Sequence, residues 1–118
     1  MDQQRHSKLI LIGVPLGNYG DITLRAIESL KSVEYVYCED TREYRKLLTN
    51  LGLTLSQNIR SYREQNHEKA LLEILTLLGE GNDVVYVSDR GMPVISDPGY
   101  QLVRDVREAE YQVTSVPG

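Results

Sequence analysis

An α/β fold, with a five-stranded mainly parallel sheet and helices on both faces, is predicted by three features of the sequence. Short apolar runs rich in β-branched residues alternate with segments of helical periodicity. The runs are apolar at successive positions, as in strands buried on both faces. The helical segments open on Asp or Asn, and two of the four close on Gly, residues that cap helix ends. Such alternation implies parallel strands joined by crossover helices.

Lys8 to Val14 reads as the first buried strand. Asp21 is positioned to cap a helix with the inward stripe Leu24, Ile27 and Leu30, and Val33 to Cys38 gives a second strand. Asp40 and Glu43 have capping-box spacing and precede Tyr44, Leu47, Leu48 and Leu51, a helical stripe ended by Gly52. Asn58 to Tyr62 is a third strand. Asn66 then caps a helix carrying Leu71, Ile74, Leu75 and Leu78, stopped by Gly79 and Gly81. The run "VVYVS", Val84 to Ser88, is a fourth strand followed by the loop "SDRGMPVISDPGY". Asp97 and Pro98 stand at the Ncap and N1 positions of a helix facing inward through Leu102, Val103, Val106 and Ala109, before a last strand near Gln112 to Val116.

The 118 residues suit one domain, spanning residues 8–118 after a polar leader, 1–7, that is expected to be poorly ordered. A net charge of -4 excludes binding of nucleic acid through bulk positive charge and leaves room for a local basic face. The single cysteine, Cys38, excludes an intrachain disulfide and a cysteine metal cluster, and no metal site is expected. Cys38 itself reads as a small buried residue at a strand end. No apolar run has the length of a membrane span and no secretion signal opens the chain, so a cytoplasmic protein without membrane contact is expected.

Open parallel sheets bind ligands beyond the carboxyl ends of their strands, where strand order switches. The loops Pro15 to Asp21, Glu39 to Arg42 and Asp89 to Pro98 all leave that edge. Gly13, Gly17 and Gly20 do not have the spacing of the dinucleotide fingerprint, and the following helix begins Gly-Asp-Ile, without the Lys of a phosphate loop. Asp21, Glu39, Asp40, Asp89 and Asp97 make the edge acidic, with Arg42 and Arg90 alongside. Carboxylates at helix starts take the amides that a phosphate would use. A ligand with hydroxyls, an amine or a positive charge is favoured over a multiply anionic nucleotide, and S-adenosylmethionine has these groups.

The stretches "VPLGNYGDITLRAIESLKSVEYVYCEDTR", "RKLL" and "VSDRGMPVISDPGYQLV" resemble the amino-terminal domain of the bacterial small-subunit ribosomal RNA cytidine 2′-O-methyltransferases, a branch of the tetrapyrrole methylase superfamily. The resemblance runs from about Lys8 to Gly118. It implies a two-domain homodimeric enzyme holding S-adenosylmethionine in the cleft between its halves, with this chain as the first half and the second domain absent from it. Carried over by position, Pro15, Leu16, Gly17, Asn18, Asp89, Arg90, Gly91, Ser96 and Asp97 line the cofactor. Glu39, Asp40 and Arg42 lie at the cleft beside cofactor or ribosomal RNA. The chain departs from the pattern at Arg90 and Met92, where relatives usually carry a small residue and Thr, and at Arg63 and Gln65, where histidines are common.

Glu39 and Asp40 are the candidates for a base acting on the ribose hydroxyl. Arg42 and Arg63 are the candidate substrate contacts within a wider set, Arg42, Arg45, Lys46, Arg60 and Arg63, able to meet RNA phosphates. His6 and His67 read as solvent-exposed. Two other readings compete: a methyltransferase of the same superfamily acting on another substrate such as a tetrapyrrole, and a phosphohydrolase using a divalent metal held by strand-end carboxylates. A non-enzymatic dimeric binding module is a third.

Overall fold

The computed structural model describes residues 7–14, 22–88 and 98–116. Their order is β1 (Lys8–Gly13), α1 (Leu24–Lys31), β2 (Tyr35–Cys38), α2 (Thr41–Asn50), β3 (Asn58–Ser61), a 3₁₀ turn (Glu64–Asn66), α3 (His67–Gly79), β4 (Val84–Ser88), α4 (Pro98–Glu108) and β5 (Gln112–Val116). The five strands form one sheet in the order β3-β2-β4-β1-β5. Every pairing is parallel, with Gly13 opposite Ser88 and Cys38 opposite both Ser61 and Val87.

Two apolar layers cover the sheet. Ala26 and Leu30 of α1 and Tyr44, Leu47 and Leu48 of α2 pack on one face, against Ile10, Ile12, Val36, Val85 and Val87. Ala70, Ile74, Leu77 and Leu78 of α3 and Leu102 and Val106 of α4 pack on the other, against Leu9, Leu11, Tyr37, Val84 and Tyr86. This division follows from handedness. The crossovers through α1 and α2 run toward one edge of the sheet and those through α3 and α4 toward the other, so right-handed connections place them on opposite faces.

The predicted strands and helices all form, with differences in detail. Thr23, rather than Asp21, is the N-cap of α1, its hydroxyl accepting from the Ala26 amide at 3.1 Å. Leu24 is correspondingly 81% exposed, and the helix buries Ala26 and Leu30. Small Ala26 lets α1 approach the sheet, a choice hidden by a stripe drawn through the large residues. On α3 the fully sheltered positions are Ala70, Ile74, Leu77 and Leu78, with Leu71 and Leu75 half-buried at the margin. α4 begins at Pro98 as predicted, while Asp97 lies outside the described residues.

Candidate functional site

Parallel pairing gathers the carboxyl ends of the strands on one edge. There Gly13 lies opposite Ser88, and the Val14 amide donates to the Ser88 carbonyl at 2.8 Å, holding the two strand ends together one residue past β1. β1 feeds a helix on one face and β4 a helix on the other. Neighbouring strands whose connections diverge in this way open a crevice at their carboxyl ends. Both connecting segments depart from this crevice. The residues assigned to the cofactor, Pro15, Leu16, Gly17, Asn18, Asp89, Arg90, Gly91, Ser96 and Asp97, lie on those segments and outside the described residues.

The remaining predicted residues meet at the ends of β2 and β3. Glu39 is exposed, and its backbone carbonyl accepts from Arg63 Nε at 2.9 Å. Asp40 is the N-cap of α2, as its spacing predicts, with Oδ1 accepting from the amides of Arg42 (2.9 Å) and Glu43 (3.4 Å). Desolvation pushes the Asp40 carboxyl upward, but those two amides and the charges of Arg42 and Arg63 outweigh it and hold it below the usual range. Arg42 is 87% exposed, with Nε 3.9 Å from Asp40 Oδ1.

Asn66 fixes the other side of this junction. Its side-chain oxygen accepts from the Arg63 amide at 2.7 Å, and its Nδ2 donates to the Ser61 carbonyl at 3.1 Å. The predicted cap of α3 therefore faces backward: Asn66 occupies the N-cap position of α3 without bonding its amides. Cys38 is buried at the strand end as expected, and burial, reinforced by the Asp40 charge, pushes its thiol up to about 12. A thiol so raised is no nucleophile.

The five candidate cations divide. Lys46 pairs with Glu43 at 3.3 Å, the two being one turn apart on α2. Arg60 is held from three sides: Nε donates to Asn58 Oδ1 (2.9 Å), and NH1 to Glu73 Oε1 (3.2 Å) and the Tyr37 hydroxyl (3.3 Å). Tyr37 donates in turn to the same Glu73 oxygen at 2.7 Å. Arg42, Arg45 and Arg63 are exposed.

This Tyr37–Glu73–Arg60 network, on the α3 side of the sheet, has no sequence signature because its members come from three elements. An open groove of about 370 Å³ adjoins it, lined by Arg60, Lys69, Leu72, Glu73, Thr76 and Leu77. The exposed His67 that was expected is instead half-buried, with Nδ1 shielded from solvent and unbonded, while His6 lies outside the described residues. No helix among the described residues is long and apolar enough to cross a membrane.

Comparison with known proteins accords with this architecture. Residues 8–118 match the family model described as Tetrapyrrole (Corrin/Porphyrin) Methylases. A ribosomal RNA small subunit methyltransferase I from Thermotoga maritima is 46% identical over 111 residues, which are 94% of this chain and 49% of that protein. Its namesake from Mycoplasmopsis pulmonis is 42% identical over 112 residues, 95% of this chain and 50% of that one. The namesake from Micromonospora olivasterospora is 44% identical over 117 residues, 99% and 37% respectively. The chain thus spans about half the length, or less, of these curated relatives. With a parallel five-stranded sheet and a family match that covers nearly its whole length, the chain belongs to the tetrapyrrole methylase family.

Proposed function

We propose that residues 8–118 form the amino-terminal domain of an S-adenosylmethionine-dependent methyltransferase, which joined to a second domain methylates a cytidine ribose 2′-hydroxyl in small-subunit ribosomal RNA. The observation that carries this reading is the shared name of relatives 42–46% identical over nearly the whole chain. It favours methyl transfer to RNA over the tetrapyrrole-directed and metal-dependent phosphohydrolase readings. A homodimer working in the cytoplasm completes the proposal.

The crevice between β1 and β4 fits such a cofactor in its described part: two strand ends held side by side, with connections leaving to opposite faces. Pro15, Leu16, Gly17 and Asn18 from one connection, and Asp89, Arg90, Gly91, Ser96 and Asp97 from the other, would hold it. When bound, S-adenosylmethionine supplies an electrophilic methyl group. A carboxylate beside the sulfonium would stabilise the ground state more than the transition state, in which that positive charge is being lost. The acids therefore serve the amine and hydroxyls.

As the ribose oxygen accepts that methyl group its hydroxyl would give up a proton, which a carboxylate of this chain would take. Between the two candidate bases the geometry favours Glu39, because the Asp40 carboxylate is engaged in capping α2 and held below the usual range. Acceleration comes mainly from alignment, worth roughly 7–11 kcal/mol in well-oriented reactions.

Calorimetry with S-adenosylmethionine, paired with transfer of a labelled methyl group to small-subunit ribosomal RNA, tests this. Residues 1–118 alone should bind weakly and transfer little, and the chain joined to its second domain should do both. Gly17→Val should abolish cofactor binding in a protein that still folds, because a side chain fills the space that backbone needs for close approach. Unchanged affinity would remove Gly17 from the site, and no heat with any form would defeat the methyltransferase reading.

A further inference from the structure

We infer that Arg42, Arg45 and Arg63 form a phosphate-binding triad around the carboxyl end of β2, which takes the backbone of the RNA substrate. The inference rests on the RNA-directed reading above. It comes from the way the fold separates cations that the sequence leaves equivalent. Arg60 is bonded on three sides, and Lys46, though exposed, is paired with Glu43 at 3.3 Å. Arg42, a looser 3.9 Å from Asp40 Oδ1, Arg45 and Arg63 are exposed and come from two elements that meet at one place.

Arg42 and Arg45 stand one turn apart on α2, so their side chains leave the same face of the helix. Arg63 follows β3 and reaches across to the Glu39 carbonyl. The grouping is consistent with the local electrostatics: the charges of Arg42 and Arg63 act on Asp40, and those of Arg45 and Arg63 on Cys38, at the end of the same strand.

Arg63 is the organising member. Its backbone is fixed by Asn66 and one of its five donors, Nε–H, is used on Glu39, so the guanidinium is held with its other donors available. A planar guanidinium already held in place loses less freedom on binding, and its paired N–H groups match two oxygens of a phosphate. The carboxylates nearby oppose an anion less than their number suggests. Asp40 is bonded by two amides and Glu43 is paired with Lys46, which leaves Glu39 and Glu64 as the exposed acids at this junction among the described residues. The site lies at the carboxyl end of β2, which neighbours β4 in the sheet.

The experiment is a salt titration of the intact protein with a short RNA hairpin carrying cytidines in its loop, with S-adenosylmethionine affinity and melting temperature measured on every variant. Arg42→Ala, Arg45→Ala and Arg63→Ala should each weaken RNA binding about 3- to 10-fold and lower the slope of log affinity against log salt by about 0.7–1, with cofactor affinity unchanged and the melting temperature lowered slightly only in Arg63→Ala, which loses its bond to the Glu39 carbonyl. Lys46→Ala, and Arg104→Ala on α4 across the sheet, should leave the slope unaltered. Arg63→Lys keeps the charge but not the fork, so it should recover the slope without the affinity.

Equal slope losses in Lys46→Ala or Arg104→Ala would show a diffuse field and overturn the triad, as would unchanged slopes in all three arginine variants. Full recovery of affinity by Arg63→Lys would overturn the organising role of Arg63. Wild-type protein that binds cofactor and shows these negative results defeats the triad alone. Wild-type protein that binds neither cofactor nor RNA defeats the functional reading with it.

Discussion

The two faces of the sheet are built on different terms. Under α1 and α2 the layer is almost wholly aliphatic, and its one buried phenol among the described residues, Tyr44, donates to Gln57 Oε1 at 2.8 Å. Gln57 passes the bond on through Nε2 to the carbonyls of Leu30 (2.7 Å) and Val33 (3.2 Å), tying α2 to the end of α1. Under α3 and α4 the layer holds three buried tyrosines among the described residues, Tyr37, Tyr62 and Tyr86, with Tyr35 and Tyr111 partly buried at its margin. There Tyr37 is answered by a charge network, while the Tyr62 hydroxyl is buried without a partner among the described residues, beside the Tyr86 ring, centroids 5.6 Å apart and nearly perpendicular. Apolar packing and one neutral hydrogen-bond chain fix the first face. The second face depends on a charged network and more buried phenols, whose burial is costly wherever a bond is missing.

The largest effect is expected where that dependence is greatest. Glu73→Ala removes the acceptor shared by Tyr37 and Arg60 and should destabilise the domain by about 1–3 kcal/mol, toward the lower end because the Arg60 and Glu73 side chains are 38% and 32% exposed. Urea denaturation across pH separates charge from packing. The Tyr37 hydroxyl, against opposing desolvation and with help from Arg60, holds the Glu73 carboxyl below its ordinary 4.5. A depressed carboxyl contributes stability in full above its unfolded value and loses it as pH falls through the folded one. Stability should therefore decline below about pH 4.5 in the wild type, and this part of the decline should be missing in Glu73→Gln. Burial, and next the Glu73 bond, raise Tyr37 from 10.0 to about 12, so its own contribution is lost between those values as pH rises. An acid limb identical in wild type and Glu73→Gln would show that the network carries no charge-dependent stability.

Legibility differs between the faces for the same reason. Strand runs such as "VVYVS" and the stripe Tyr44, Leu47 and Leu48 are local, periodic signals, and the structure places them where they predict. The bond from Arg60 to Glu73 spans 13 residues and that from Tyr37 to Glu73 spans 36, so neither leaves a periodic trace. At the candidate site, Asp40 was legible as a cap. The clasp of Arg63 on the Glu39 carbonyl was not, because it depends on β2 and β3 being neighbours.

Removing one hydroxyl at a time compares the faces directly, with smaller effects. Tyr37→Phe leaves Glu73 with one donor fewer, and Tyr44→Phe leaves Gln57 Oε1 without its donor. Each should cost about 1 kcal/mol. Tyr62→Phe removes a hydroxyl that bonds nothing while keeping the ring against Tyr86, so it should be neutral or slightly stabilising. Melting temperatures of the three variants decide the matter. A Tyr62→Phe protein as destabilised as the other two would mean that this hydroxyl has a partner in solution.

The smallest effect comes from the helix ends, where each face solves one backbone problem with a different residue. α2 closes with Gly52 at φ +71°, the Gly52 amide donating to Thr49 (3.1 Å) and the Leu53 amide to Leu48 (2.9 Å). α4 closes in the same pattern: the Glu110 amide donates to Arg107 (2.9 Å) and the Tyr111 amide to Val106 (3.2 Å), with Glu110 at φ +70°. An L side chain in that conformation costs about 1–2 kcal/mol, and glycine avoids it at the expense of greater freedom in the unfolded chain. Glu110→Gly should therefore stabilise by a few tenths to about 1 kcal/mol. Gly52→Ala should destabilise by about 1 kcal/mol, although nothing lies within 4 Å of the added methyl group. The pair isolates backbone strain from packing because the substitutions run in opposite directions on equivalent bonds. If Glu110→Gly lowers the melting temperature, the carboxylate of Glu110 contributes more than its backbone conformation costs, and the two helix ends are not equivalent.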